Sequence, residues 1–379
     1  RTINTMGINS SHKDRVNQAI SFQKPDRTPR DFAAVPEVWQ KLGDHFGNHD
    51  RSRILELMDV DCRVIPYDSF CQHPRISTSD VDENASMERS SVGGMWRMVE
   101  ADGSNRDIWG AHRHKVEHQF GTYDEFATYP LSDAFNLDDL IGYDWPQPEW
   151  WDFGELRTFI EELNKGVQYN IRYRVGSLFE TSWSLYGLEK FLADLALRPE
   201  LPHFIMERIS EVHLANLRTV LELAEDLIDI IYFYDDIASQ VSLLISPQMY
   251  RDFVKPFHQQ VIDTARIHNK PTMMHCCGAV YPLIEEFIDM GLAILNPIQP
   301  LARNMNPEKL AEEFGGRIAF HGGIDIQQLL PSATAEEVRE KVEYTSEVLG
   351  ANGGYIMAGS HHIQADTPVD NILAMYNVL

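Results

Sequence analysis

Basic residues are scarce in this sequence of 379 residues. Lysine and arginine together number 33 against 57 aspartates and glutamates, which gives a formal net charge of −24 at pH 7. A protein of this sign repels phosphate backbones and anionic bilayers, so nucleic acids and membrane surfaces are poor candidates for its ligand. Small molecules or protein partners are the expected ligands.

Cysteines and long apolar runs are also scarce. There are four cysteines, two of them adjacent, which suits neither a disulfide framework nor a four-thiolate zinc site; they are Cys62, Cys71, Cys276 and Cys277. No run approaches the roughly eighteen apolar residues that a membrane span needs, and no signal-peptide pattern opens the chain. We therefore expect a soluble protein of the reducing cytoplasm.

The length allows one large α/β domain or two ordinary domains. We take residues 1–10 as a disordered or expression-derived tail and residues 11–379 as a single domain. Its first helix is predicted over 14–22, with Ser11 as the N-cap. A β-hairpin insertion is predicted at about 90–118, where two strand-like segments flank an Asp102-Gly103 turn.

Short apolar segments alternate with amphipathic helices from residue 169 onward, as in parallel β/α units. Six strands are predicted there, and two more precede them; the eight are 30–33, 62–66, 170–175, 227–232, 271–274, 293–296, 317–320 and 354–357. Eight strands predict an α/β fold with a single TIM-type (β/α)8 barrel and an N-terminal helical extension. A doubly wound sheet is the alternative.

Polar and reactive side chains follow these strands at nearly every predicted end. They are Glu180; Asp235, Asp236 and Gln240; His275 and Cys277; Gln299; His321 to Asp325; and Ser360 to His362. A closed barrel would gather them around one mouth, whereas an open sheet would spread them along an edge, so the pattern favours closure. No glycine-rich nucleotide-binding motif follows a strand.

One stretch combines metal-binding residue types. His275 and Cys277 lie two residues apart at a strand end, and zinc is bound by cysteine thiolates and histidine nitrogens. A catalytic site needs a third ligand, for which His361 is the best placed, with Ser360, His362 and Glu180 behind it. The alternative is that His275 and Cys277 are ordinary buried residues. Cys276 points to the opposite face and is expected in the core.

Other residues in or after the predicted strands can each be interpreted in two ways. Asp236 and Gln240 are expected to point inward, where an acid could move a proton, but one acid of the Asp235-Asp236 pair could instead cap the loop or helix that follows while the other is solvated. Gly322-Gly323 could let a ligand approach the backbone or could simply form a turn. Arg172 and Arg174 share one face of a strand and could bind a carboxylate or form ion pairs.

Several short motifs, taken in order, resemble the uroporphyrinogen decarboxylase superfamily over nearly the whole chain. They are Lys24 to Pro29, Asp235 to Gln240 followed by Ile245 to Tyr250, His275 to Gly278, Asn296 to Gln299, His321 to Asp325, and Ser360 to Gln364 with Thr367-Pro368 and Asn371. The resemblance implies a TIM barrel. The superfamily includes haem-pathway decarboxylases and zinc-dependent methyltransferases that work with corrinoid proteins.

The methyltransferase branch matches better. Its members bind zinc through a His-x-Cys pair and a later Cys; His275 and Cys277 match the pair, and Ser360-His361 stands near the place of the later Cys. The arginine-rich segment of the decarboxylases corresponds to 30–39 here, which has little basic character. His361 also matches a histidine of the decarboxylases and does not discriminate.

The leading hypothesis is therefore a zinc-dependent methyltransferase that moves a methyl group between a small methylated compound or thiol and a corrinoid (cobalamin) carried by a partner protein. The expected zinc ligands are His275, Cys277 and His361; the expected catalytic residues are Asp236, Glu180 and His361; and the expected substrate-binding residues are Gln240, Gln299, Arg174, His321 and Tyr234. A homodimer is the candidate assembly. A metal-free decarboxylase of a small carboxylic acid, or a barrel that only binds a ligand, are the alternatives.

Overall fold

Seven short apolar segments pair in parallel into one curled sheet in the computed structural model, which describes residues 10–72, 86–89, 96–119 and 121–378. Its strands are β1 (Cys62–Pro66), β7 (Asn170–Gly176), β8 (Ile230–Tyr234), β9 (Thr272–His275), β10 (Ile294–Ile298), β11 (Ala319–Ile324) and β12 (Tyr355–Gly359). They lie side by side in chain order. A doubly wound sheet reverses its order at a switch point, so that alternative was wrong.

The predicted eighth strand at 30–33 does not form. Arg30 makes one isolated parallel bridge to Met357 of β12, and the Asp61 N–H before β1 donates to the Arg30 carbonyl at 2.9 Å. The segment thus lies between the two edges of the sheet without continuing along either. The Phe32 N–H donates to the Asp31 side chain at 2.8 Å rather than to a neighbouring strand, which ends the pairing.

Helices pack around this sheet. They are α1 (His12–Ile20), α2 (Pro36–Phe46), α3 (Arg51–Leu57), α4 (Leu137–Ile141), α5 (Leu156–Leu163), α6 (Phe179–Tyr186), α7 (Leu188–Leu197), α8 (Glu200–Ala224), α9 (Pro247–Met249), α10 (Lys255–Ile267), α11 (Ile284–Met290), α12 (Pro307–Phe314), α13 (Leu329–Ser332), α14 (Ala335–Leu349) and α15 (Val369–Tyr376). Burial of each large apolar side chain contributes about 1.5–3 kcal/mol. The core is therefore ample to hold the strand ends in place.

The N-terminal helix α1 closes one end of the sheet. Ser11 accepts a hydrogen bond from the Asp14 N–H, as predicted for the N-cap. Val16 of α1 packs with residues that point inward from six of the seven strands: Cys62, Ile230, Met273, Ile294, Ala319 and Ile356. Of the predicted tail at 1–10, only Ser10 lies within the described residues, and its carbonyl accepts a hydrogen bond from Arg15. Helix α1 therefore covers the end of the sheet where the strands begin, opposite the end where they finish.

The insertion is larger than a hairpin. Five antiparallel strands form a second sheet, in chain order: β2 (Ser86–Arg89), β3 (Trp96–Val99), β4 (Asn105–Arg106), β5 (His112–His118) and β6 (Gly121–Thr128). The predicted hairpin corresponds to its middle, with 90–95 outside the described residues. Strand β6 is mostly polar, and its residues 123–128 are mostly exposed, so it lacks the alternating pattern by which a strand is found. Phe126 packs edge-on against Trp183 of α6, which holds the sheet beside the strand ends.

Strand β11 continues further than its sequence indicated. His321, Gly322 and Gly323 belong to the strand and are buried, rather than forming a turn after it. A side chain at Gly322, which has a φ of 100°, would approach Pro297 at 3.1 Å. The glycine therefore serves close packing of β10 against β11. The approach of a ligand to this backbone stays a prediction. Asp325 accepts three backbone N–H bonds and caps the turn that follows.

Within the described residues, no helix has the length and apolar character needed to cross a membrane. The four cysteines all lie in the described part and are free thiols.

Candidate metal centre

Three donor side chains converge beyond the end of strand β9. One ligand atom each from His275, Cys277 and His361 lies within 4.8 Å of the other two, and this is the one such group of three among the described residues. Cys277 Sγ is 3.1 Å from His275 Nε2. The structure thus brings together the three residues that the sequence predicted as zinc ligands.

The backbone after β9 is held so that His275 and Cys277 face the same side. The Cys277 N–H donates to Asp236 Oδ1 at 2.8 Å, and the Gly278 N–H donates to Gln299 Oε1 at 2.7 Å. Gly278 has a φ of 89°, and a Cβ there would lie 2.4 Å from the Ser239 carbonyl oxygen, so only glycine fits. Cys276 is fully buried in the core, as predicted.

His361 comes from the loop after β12. Its ring centroid lies 5.6 Å from that of His275 and 4.9 Å from that of His362. Burial, with a smaller effect from His275, lowers the pKa of His361 to about 4. The imidazole is therefore neutral at pH 7 and offers a lone pair without losing a proton.

The acidic residues beside the cluster have separate roles. Asp236 Oδ1, which accepts the hydrogen bond from the Cys277 N–H, is 3.7 Å from His275 Nε2. Asp235 is fully buried and structural: it accepts from the Leu178 and Glu180 N–H groups at the start of α6 and lies 2.6 Å from His258. Asp235 therefore caps a helix, but this is the earlier helix α6 and not the loop or helix that follows the acid pair, as the sequence had suggested.

Two groups near Asp236 have raised pKa values. Burial, together with Asp236 and Asp235, raises the pKa of Glu180 to about 8, while Arg113 and Arg97 of the insertion sheet partly oppose this. Burial and then Asp236 raise the pKa of the Cys277 thiol well above its ordinary range. Both groups are protonated at pH 7 in the metal-free protein. A carboxyl group with a pKa near neutrality can exchange protons with a substrate.

A cavity of about 590 Å³ opens on one side of the cluster. His275 and His361 form part of its wall, and apolar side chains form much of the rest; these include Phe32, Trp39, Val64, Phe70, Phe159, Met273 and Pro297. Three arginines also line it, Arg51, Arg172 and Arg174, against one carboxylate, Asp31. The cavity is thus locally basic inside an acidic chain.

The predicted substrate-binding residues fall into two groups. Arg174 and His321 line the cavity. The other three lie outside its wall: the Gln299 side chain binds Gly278, the Gln240 carbonyl accepts from the Arg303 N–H at 2.9 Å, and the Tyr234 ring lies 5.9 Å from the Arg174 guanidinium. Asp236, Glu180 and Cys277 also lie outside the cavity wall.

A buried hydrogen-bonded chain, whose roles the sequence did not reveal, leads away from His275. His275 Nδ1 is 2.6 Å from Asn296 Oδ1, Asn296 Nδ2 is 2.5 Å from His321 Nδ1, and His321 Nε2 is 2.8 Å from Asp31 Oδ2. Arg172, which is fully buried, donates to the same Asp31 oxygen and to Cys62 Sγ. Of these, His275 was predicted from the sequence as a metal ligand and Arg172 and His321 as binding residues, whereas no role was predicted for Asn296 or Asp31.

Fold and site together define an α/β protein with a candidate metal centre at the carboxyl ends of its parallel strands. The family described as uroporphyrinogen decarboxylase (URO-D) matches residues 154–379, more than half of the chain. The chain belongs to this family.

Solved structures share this fold, and a methyltransferase is among them. A methyltransferase from Methanosarcina mazei superposes with a TM-score of 0.63 at 17% sequence identity, covering 97% of this chain and 98% of that chain. No curated protein sequence matches this chain.

Proposed function

We propose that the chain is a zinc-dependent methyltransferase that moves a methyl group between a small methylated compound or thiol and a corrinoid carried by a partner protein. The observation that supports it is the convergence of His275, Cys277 and His361 within 4.8 Å. The superfamily that the sequence resembles contains both methyltransferases and decarboxylases. Histidine nitrogens and a cysteine sulfur are ligands that zinc prefers.

The residues present fit a zinc ion. In a tetrahedral site with Zn–S near 2.3 Å and Zn–N near 2.0 Å, neighbouring ligand atoms lie about 3.3–3.6 Å apart. The distance from Cys277 Sγ to His275 Nε2 is 3.1 Å and no pair in the group exceeds 4.8 Å, so small side-chain rotations suffice. Three protein ligands would leave one position for substrate, as in catalytic zinc sites.

Zinc in this position would supply Lewis acidity, which lowers the pKa of a bound thiol or polarises the heteroatom that carries a methyl group. The chain contributes the surroundings. Asp236 holds the Cys277 backbone in place, and Glu180, protonated at pH 7, would give a proton to a leaving heteroatom. The apolar cavity wall excludes water from the non-reacting part of the substrate, and its arginines favour a substrate with an anionic end.

The corrinoid would come from a separate protein, because the sequence has no segment recognisable as a corrinoid site. The rim beside Cys277 is suited to a protein partner. The loops after β8 and β10, joined by the Arg303 to Gln240 hydrogen bond, expose Val241, Leu244 and Leu301 there. The proposal keeps the cytoplasmic location expected from the sequence.

Metal analysis tests the proposal. Protein purified without chelator should contain one zinc per chain, and activity lost on chelation should return with zinc. The Cys277→Ser variant should lose most of the zinc, whereas Cys276→Ser, which changes the adjacent fully buried thiol, should keep it. A wild-type protein without zinc, whose activity zinc does not restore, would refute the proposal.

A metal-free decarboxylase is the second candidate, because Arg51 and Arg174 line the cavity and would hold a carboxylate, whereas Arg172 is already paired with Asp31. In that reaction Asp236 or His361 would protonate the carbanion-like centre left by loss of carbon dioxide. Release of carbon dioxide from a carboxylic acid by chelator-treated protein would support it. The absence of any release, with methyl transfer dependent on zinc, would exclude it.

A further inference from the structure

Asp31 lies at the far end of the series of hydrogen bonds that leads away from His275. Its protonation state is set by a residue outside that series, Arg172. Burial alone would raise the pKa of Asp31, but Arg172, with which it pairs, and His321 outweigh this and hold the pKa well below its usual range. Asp31 is therefore a carboxylate that can only accept hydrogen bonds. The donor and acceptor roles of His321, Asn296 and His275 follow from it in turn.

The proton positions follow in sequence from Asp31. His321 Nε2, 2.8 Å from the carboxylate, must carry the proton, although Arg172 Nη1 lies near the same nitrogen at 3.4 Å. Burial lowers the pKa of His321, so its ring is neutral and Nδ1 bears a lone pair. The group facing Nδ1 must then be a donor, which orients Asn296 with Nδ2 toward His321 and Oδ1 toward His275.

The last contact sets the tautomer of His275. Asn296 Oδ1 accepts, so His275 Nδ1 carries the proton and Nε2 bears the lone pair. Nε2 is the nitrogen that lies 3.1 Å from Cys277 Sγ. With Asn296 turned the other way, Nδ2 would face His275 Nδ1, the proton would move to Nε2, and His275 could not bind a metal there.

We propose that Asp31, His321 and Asn296 are positioning residues that fix His275 as the Nδ1–H tautomer and so direct its Nε2 lone pair into the metal centre. The proposal rests on the proposed function for the identity of the metal, but its proton arrangement exists in the metal-free protein. Asn296 pairs with His275 across β9 and β10, which places the amide beside the ring by strand register.

Zinc affinity provides the first test. Partners of this kind, behind a metal-binding histidine, typically change metal affinity by about 10–100-fold when removed. The Asn296→Leu variant should therefore bind zinc about 10–100-fold more weakly, measured by competition with a fluorescent chelator. Asn296→Asp keeps an acceptor for His275 Nδ1 and should restore most of the affinity. The matched control is Asn371→Leu, which removes another buried asparagine, bonded to the Leu330 and Ala333 carbonyls away from the centre, and should leave zinc affinity unchanged.

The tautomer itself provides the second test, and it is independent of zinc. Nitrogen-15 NMR of metal-free protein labelled at histidine should show His275 protonated at Nδ1, assigned by comparison with the His275→Gln variant. Asp31→Asn, which can donate as well as accept, should release this preference and weaken zinc binding while Asn296 is unchanged.

The outcomes separate the two proposals. If the wild-type protein binds no zinc, the proposed function fails, and the NMR result alone decides the tautomer. A His275 ring protonated at Nε2 in the metal-free protein would overturn the inference. So would equal zinc affinity for wild type and Asn296→Leu.

Discussion

Glu180 should destabilise the folded protein at neutral pH, and its replacement by glutamine should be stabilising. The pKa of this carboxyl is raised from 4.5 to about 8, chiefly because it is buried and then because Asp236 lies near. As pH rises above 4.5, the unfolded chain releases this proton while the folded chain keeps it, so stability falls until about pH 8 and is constant above.

The magnitude follows from the size of the shift. At pH 7 the difference in protonation costs about 3 kcal/mol, and at pH 5 about 1 kcal/mol, at 1.36 kcal/mol per pKa unit. Glutamine resembles the protonated acid but cannot ionise. The Glu180→Gln variant should therefore exceed the wild type in free energy of unfolding by about 3 kcal/mol at pH 7 and by about 1 kcal/mol at pH 5.

Urea unfolding of chelator-treated protein at the two pH values measures both differences. The matched control is Glu189→Gln on the neighbouring helix α7, an exposed position where a substitution should change stability by no more than about 0.5 kcal/mol. A Glu180→Gln variant no more stable than the wild type at pH 7, or equally stabilised at both pH values, would refute the reasoning. A confirmed gain would mean that the site keeps a costly acid for function.

Three further changes test parts of the structure that hold the site. Burial lowers the pKa of His213 to about 4, so lowering the pH from 7 to 5 should cost the wild type about 2 kcal/mol of stability. The His213→Gln variant should not lose this stability. Urea unfolding at both pH values measures the difference, and an equal loss in both proteins would contradict the prediction. Gly278→Ala should reduce stability by about 2 kcal/mol and weaken zinc binding, because the added Cβ would lie 2.4 Å from the Ser239 carbonyl oxygen. Gly103→Ala is the control for backbone strain alone, because Gly103 has a similar φ of 83° but open space around it. Equal effects of the two substitutions would argue against the clash. Asp235→Asn should lower the free energy of unfolding by about 3 kcal/mol, because the buried side chain would accept hydrogen bonds from two backbone N–H groups and from His258 less strongly. A thermal midpoint unchanged from wild type would show that the carboxylate charge is not needed.

The parallel sheet and the ligand cluster could be predicted because their signals are local. Each strand is an apolar run bounded by turn residues, and His275 and Cys277 stand at the end of one of them. His361 followed from the same rule applied to another strand. Convergence of the three needed only the general property that parallel strands end on one side.

The chain of hydrogen bonds behind His275 could not be predicted in the same way. It depends on register, which pairs Asn296 with His275, and on a segment 290 residues from His321 that supplies Asp31. An asparagine within an apolar strand gives no indication of which neighbour it faces. The predicted strand at 30–33 failed for a different, local reason, since the Asp31 side chain takes the N–H of the next residue, Phe32, that pairing would have used.

The basic cavity within an acidic chain has a consequence for the rate at which it fills. An anion approaching a chain of net charge −24 is repelled at long range and attracted by the arginines only near the wall. Salt screens the distant repulsion more than the close attraction, because the Debye length is about 8–10 Å near physiological ionic strength. Added salt should therefore speed the entry of an anionic ligand, the reverse of ordinary electrostatic steering. Such a cavity would load slowly in dilute buffer and retain what it has taken up.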